Sequence, residues 1–123
     1  MPSTNGAHVL SELKSALRKF LETREKKVLY LSHLPLTDED ARLLEEILGC
    51  GTVSIRSESA TPASWRETAI AGVWWGEYRD ESGRVALRTL EVADFPQLAA
   101  AQTEDIEEGR NKLEQLLTKA ATA

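Results

Sequence analysis

The sequence is poor in the residues that would mark a metal protein, a secreted protein or a membrane protein. Among 123 residues there is one cysteine, Cys50, and there are two histidines, His8 and His33. A lone cysteine closes no internal disulfide, so nothing points to a disulfide framework or an oxidising compartment. With no CxxC, no HxxxH and no paired histidines, the spacing supports no metal site, and no cofactor is expected. Cys50 follows Gly49 just beyond a predicted helix, where the negative end of the helix dipole disfavours a thiolate. There is no GxSxG, and the glycines of GCGTVS precede a strand rather than a helix, so neither a nucleophile elbow nor a phosphate loop is indicated. No apolar run approaches the roughly 18 residues of a membrane span. The opening MPSTNGAHVLSELKSALRKF has neither the basic start nor the continuous apolar core of a signal peptide. These absences lead to the expectation of a soluble, cytoplasmic chain that does not engage a membrane.

Clustered basic charge is also missing from most of the chain. The net charge is -5, and residues 1–30 hold six basic and three acidic side chains against nine and seventeen in the remainder. Phosphate binding needs clustered Lys and Arg, so nucleic acid is a poor partner for this acidic body. The basic start reads either as an interaction arm or as a solvated helix face. The length suits one domain, expected over residues 1–123 with frayed ends at about 1–6 and 120–123, and it suffices for a core without disulfides.

Apolar periodicity supplies the elements. Val9, Leu10, Leu13, Ala16, Leu17, Phe20 and Leu21 form the stripe of an amphipathic helix from Val9 to about Thr23. KKVLYLS, residues 26–32, reads as a strand. LPLTDEDARLLEEILGCG then carries a helix signature: Thr37 as N-cap, Asp40 completing a capping box, acidic Asp38 and Glu39 in the first turn, and Gly49 as the left-handed stop. Its buried stripe is expected to be Leu43, Leu44, Ile47 and Leu48. TVSIRSE, residues 52–58, alternates as a strand with one polar face. A long extended arm is expected from Trp65 to Arg79, joined through the turn Asp80–Gly83 to RVALRTLEV, with a bulge near Arg88 and Thr89 where the apolar parity slips. Pro96 opens a short turn, and Thr103 starts a last helix to about Lys119 with Ile106, Gly109 or Arg110, Leu113, Leu116 and Leu117 as its stripe. The order predicts an α+β fold with a mixed or antiparallel sheet of about four strands and helices mostly on one face.

Two residue classes are candidates for function. Glu67, Glu77 and Glu91 lie on predicted strands, where neighbouring carboxylates could serve acid–base chemistry; exposed strand glutamates facing Arg66, Arg79 and Arg88 more often form surface ion pairs. The aromatics are more informative. Trp65, Trp74, Trp75 and Tyr78 crowd into one arm of a chain that is only 6% aromatic. In GVWWGEYR the adjacent tryptophans must point to opposite faces of a sheet. The bulge-prone neighbours Gly72 and Gly76 leave open which is which; the reading adopted puts Trp75 in the core with Val73 and Trp74 on the outer face beside Tyr78. An indole left on a polar face marks an interface unless the first or last helix covers it.

SHLPLTDEDARLLEEILGCGTVSI, RETAIAGVWWGEYRDESGRV and LEVADFPQLAAAQTEDIEEGRNKLEQLL together resemble the C-terminal conserved module of hydrogenase expression/formation proteins of the HupH/HyaF type. The resemblance runs from about Leu29 to Leu117, and RET…GVWW, LEV and the DI near the last helix are its most specific parts. It implies a role in maturing nickel–iron uptake hydrogenase, as an assembly factor or chaperone-like partner rather than an enzyme. Family members are typically longer, with further sequence before this module. No catalytic residue carries over. Arg66, Glu67, Thr68, Gly72, Val73, Trp74 and Trp75 carry over as the family signature. The implied partner is the iron–sulfur small-subunit precursor of hydrogenase, or other maturation proteins, met through Trp65, Arg66, Glu67, Trp74, Trp75 and Tyr78. The alternative is a homodimeric module that uses the aromatic hairpin face.

Overall fold

The computed structural model describes residues 4–122. The first helix, α1, spans Thr4–Thr23 and so starts five residues before the expected Val9. Of the ends expected to fray, residues 4–6 are helical, residues 120–122 continue the last helix, and residues 1–3 and 123 lie outside the described residues. Val9, Leu13 and Phe20 turn inward, Leu10, Ala16 and Leu17 support them, and Leu21 points to solvent. The helix stops at Arg24, which takes a positive φ of 65° while its N–H donates to the Phe20 carbonyl.

The next elements are β1, Lys27–Tyr30, and α2, Asp38–Leu48, joined through a single 3-10 turn at Leu31–His33. The capping box of α2 is complete: Asp40 N–H donates to Thr37 Oγ1 at 3.1 Å, and Thr37 N–H donates to Asp40 Oδ2 at 3.1 Å. Gly49, at φ 68°, ends it. Leu44 and Leu48 are its buried residues; Ile47, expected in the stripe, is exposed because only a narrow face of this short helix meets the sheet.

Three further strands follow, then a fourth: β2, Ser54–Ser57; β3, Ala63–Glu67; β4, Val73–Arg79; and β5, Val85–Val92. The sheet therefore has five strands, in the order β1-β5-β4-β3-β2, and every neighbouring pair is antiparallel. The additional strand arises because the arm expected to run unbroken from Trp65 to Arg79 folds back on itself. Thr68 makes the turn. Its N–H and its hydroxyl both donate to the Val73 carbonyl at 2.9 Å, its hydroxyl accepts the Ile70 N–H at 3.2 Å, and Gly72 takes φ 88°.

The expected turn Asp80–Gly83 joins β4 to β5, with Gly83 at φ 86° and Asp80 Oδ1 accepting the Ser82 and Arg84 N–H groups. The Ser82 hydroxyl also donates to Asp80 Oδ1 at 2.7 Å, and this bond, followed by the Arg84 N–H, holds the Asp80 carboxyl below its usual range. The bulge lies earlier than expected: Tyr78 pairs with Leu87 and Arg79 with Val85, so the extra residue is Ala86. Leu87 faces outward opposite Tyr78, and strict alternation then carries the strand to Leu90 and Val92 on the inner face.

Helices α1 and α2 cover one face, where Leu29, Leu44, Leu48, Val73, Trp75, Leu90 and Val92 join the α1 stripe. After β5 the chain does not go directly into the last helix. Residues 93–102 cross the opposite face as a strap with a 3-10 turn at Gln97–Ala99, and α3, Thr103–Thr122, follows.

Candidate interaction surface

The signature RET…GVWW is the β3–β4 hairpin. Arg66 ties the hairpin to α2 through Glu45, with Nη2 to Oε1 at 2.7 Å, and this bond raises the guanidinium pKa further. Glu67 is half-exposed; its carbonyl accepts the Gly51 N–H at 2.7 Å, and its N–H donates to the Val53 carbonyl. A side chain at Gly51 would collide with the Thr68 carbonyl oxygen at 2.6 Å and with the Glu67 carboxylate at 2.9 Å, so the backbones approach this closely only with glycine.

The two tryptophans divide as their parity predicts. Trp75 lies in the helix-side core and Trp74 on the outer face. The outer indole is not an exposed patch, however. Trp74 is 3% exposed and Trp65 2%. Neither terminal helix covers them; the strap does. Trp74 Nε1 donates to the Ala93 carbonyl at 3.0 Å, Phe95 meets its ring edge-on at 6.3 Å, Pro96 is fully buried, and Ala99 packs on the same cluster with Ile55 and Tyr78. Ala93, Phe95, Pro96 and Ala99 all belong to ADFPQLAA, whose composition alone does not indicate where it folds.

Beneath Tyr78 the outer face holds a polar network. Glu91, also 3% exposed, accepts at Oε2 from Thr89 Oγ1 at 2.6 Å, Tyr78 OH at 2.9 Å and Trp65 Nε1 at 3.2 Å. Three donors on one carboxylate oxygen are what a buried carboxylate needs when no Lys or Arg reaches it, and none pairs with it among the described residues. Gly76 makes the space, since a Cβ there would overlap Thr89 Oγ1 and lie 2.8 Å from Glu91 Oε2. Burial pushes the Tyr78 hydroxyl up to about 12.

The three strand glutamates do not converge. Cross-strand register puts Glu67 and Glu91 on either side of Trp74, while Glu77 faces the other way and pairs with Arg88 at 3.3 Å and Arg79 at 3.6 Å. Cys50 is exposed. His33 stacks on Tyr30 at 5.6 Å. Among the described residues no three of His, Cys, Asp and Glu stand together as a metal site, and no helix is long and apolar enough to cross a membrane.

Large apolar groups reach solvent singly at Leu21, Tyr30, Ile47, Val53 and Ile70, and in groups on the strap and along α3. On the strap, Phe95 and Leu98 are exposed, and Tyr78 and Ile55 of the outer cluster are half-exposed. On α3, Ile106, Leu113, Leu116 and Leu117 are 58–72% exposed, and no described residue of the helix is buried. Sequence periodicity located that stripe but supplied no partner for it.

An antiparallel sheet backed by two helices, with its outer aromatic face closed by a strap and one amphipathic helix left open, defines a small α+β module. The profile of the family described as HupH hydrogenase expression protein, C-terminal conserved region, matches residues 3–120, and the chain belongs to that family. It is 36% identical over 114 residues to hydrogenase expression/formation protein HoxQ of Azotobacter vinelandii, covering 91% of this chain and 40% of that protein. It is 33% identical over 90 residues to hydrogenase expression/formation protein HupH of Rhodobacter capsulatus, covering 73% and 33%. The chain thus spans 40% or less of these curated relatives. The solved structure of hydrogenase expression protein HupH from Thiobacillus denitrificans superposes with a TM-score of 0.88 at 34% identity, covering 97% of this chain and 99% of that one.

Proposed function

We propose that this chain is a non-catalytic binding protein of nickel–iron uptake hydrogenase maturation that holds the iron–sulfur small-subunit precursor in the cytoplasm before the enzyme is assembled. Membership of a hydrogenase expression family carries the reading, and the curated relatives are named for hydrogenase expression and formation. The contact is assigned to the outer face. Phe95, Leu98, Ile55 and Tyr78 form its accessible rim, while Trp65 and Trp74 hold that rim from beneath. Arg66 and Glu67 lie at the end of the same hairpin, and Trp75 supports it from the core side. An apolar rim around rigid buried aromatics suits a partner's exposed apolar segment.

Co-expression with the small-subunit precursor and affinity capture tests this reading. The intact chain should retain the precursor, and Leu98→Asp, which alters only an exposed side chain, should lose it while keeping the near-ultraviolet dichroism of the buried tryptophans. Failure of the intact chain to capture the small subunit, or capture of the large-subunit precursor instead, would overturn the assignment.

A further inference from the structure

We propose that α3 is a self-association helix, through which two copies of this chain pack antiparallel along Ile106, Gly109, Leu113, Leu116 and Leu117. These positions recur with spacings of three and four, and they make one stripe along a 20-residue helix about 30 Å long. Helices in proteins draw most of their stability from packing of an amphipathic face, which α3 does not obtain within the described residues. Among the described residues none covers it. The helix is anchored at its start, where the Gln102 amide donates to the Gln97 and Ala100 carbonyls, and beyond that its leucines meet solvent.

The charge pattern selects the occupant and its direction. The first turns carry Glu104, Asp105, Glu107 and Glu108 with no basic residue, whereas the later turns carry Arg110, Lys112 and Lys119 against Glu114 alone. Among the described residues none of these side chains is engaged in an ion pair. A parallel pair would set acidic turns against acidic turns. A two-fold axis near Lys112 instead sets the acidic start of each helix against the basic end of the other; the favourable end contacts are made twice, against a single approach of Lys112 to its copy at the axis. Asp105, Lys112 and Lys119, spaced by seven, flank the stripe on one side, so Asp105 of one copy faces Lys119 of the second. Gly109 has nothing within 4 Å of where its Cβ would stand, so the backbones have room to approach there.

Sedimentation equilibrium on the intact chain tests the proposal. The wild type should dimerise at micromolar concentration, and Leu113→Glu with Leu117→Glu should be monomeric with unchanged near-ultraviolet dichroism. Asp105→Lys should weaken the dimer about tenfold, and adding Lys119→Asp should restore it. A wild-type monomer at ~100 μM, far above the micromolar range of a specific contact, would overturn the proposal. So would a dimer indifferent to the leucine changes, or a charge-reversed pair that is not rescued. These outcomes are independent of whether hydrogenase precursor is captured.

Discussion

The β4 strand and α3 carry comparable apolar stripes, yet one is enclosed and the other is bare. Trp74 sits on a sheet face that alternation leaves open, and ten residues of irregular chain close it. Leu113 and Leu117 sit on a regular amphipathic helix, and among the described residues none buries them. The difference teaches that apolar pattern reports how much surface needs covering, whereas its covering depends on segments whose own pattern is weak. The indoles of the aromatic hairpin are therefore enclosed, while grouped apolar side chains stay exposed on the strap and along α3.

Substitutions sharpen this contrast most where the indoles are enclosed. Trp75→Ala and Trp74→Ala should each cost about 3–5 kcal/mol in urea unfolding, because each empties a packed site and Trp74 also gives up its bond to the Ala93 carbonyl. If Trp74→Ala cost under 1 kcal/mol, the face would be open rather than sealed. Gly76→Ala should cost roughly 1–3 kcal/mol by forcing Thr89 and Glu91 apart, and the same denaturation measurement checks it.

Tyr78 gives a pH test of the same face. Its folded pKa, about 12, stands above its unfolded value near 10, so the fold favours the protonated phenol. This contribution is fully present below pH about 10 and is lost as pH rises through about 12. Ultraviolet titration should show one phenol ionising near 12 that disappears in Tyr78→Phe. The smallest effect belongs to α3. Leu113→Glu and Leu117→Glu should leave the unfolding free energy of the dilute chain within about 0.5 kcal/mol, since neither side chain touches the core.

Much of this architecture was legible in the sequence. Thr37, Asp40 and Gly49 bound α2 because capping chemistry is local, and adjacent tryptophans sorted to opposite faces because strand alternation is local too. The β3–β4 turn was not legible, because it is made by the Thr68 hydroxyl in an otherwise apolar TAIAG run that continues strand alternation. The bulge was misplaced because Val85 and Leu87 read as core partners of Leu90, when Leu87 stands on the outer face opposite Tyr78. For the surface, periodicity found the α3 stripe and the aromatic cluster, but burial of Trp65 and Trp74 depends on a strap recognisable only once folded.

Hydrogen exchange at two protein concentrations tests the contrast between the closed face and the open helix most directly. Amides of β3 and β4 should be strongly protected at both concentrations, whereas α3 should exchange rapidly when dilute and gain protection as the chain is concentrated. Equal protection of α3 at every concentration, or rapid exchange across Val73–Arg79, would contradict this account.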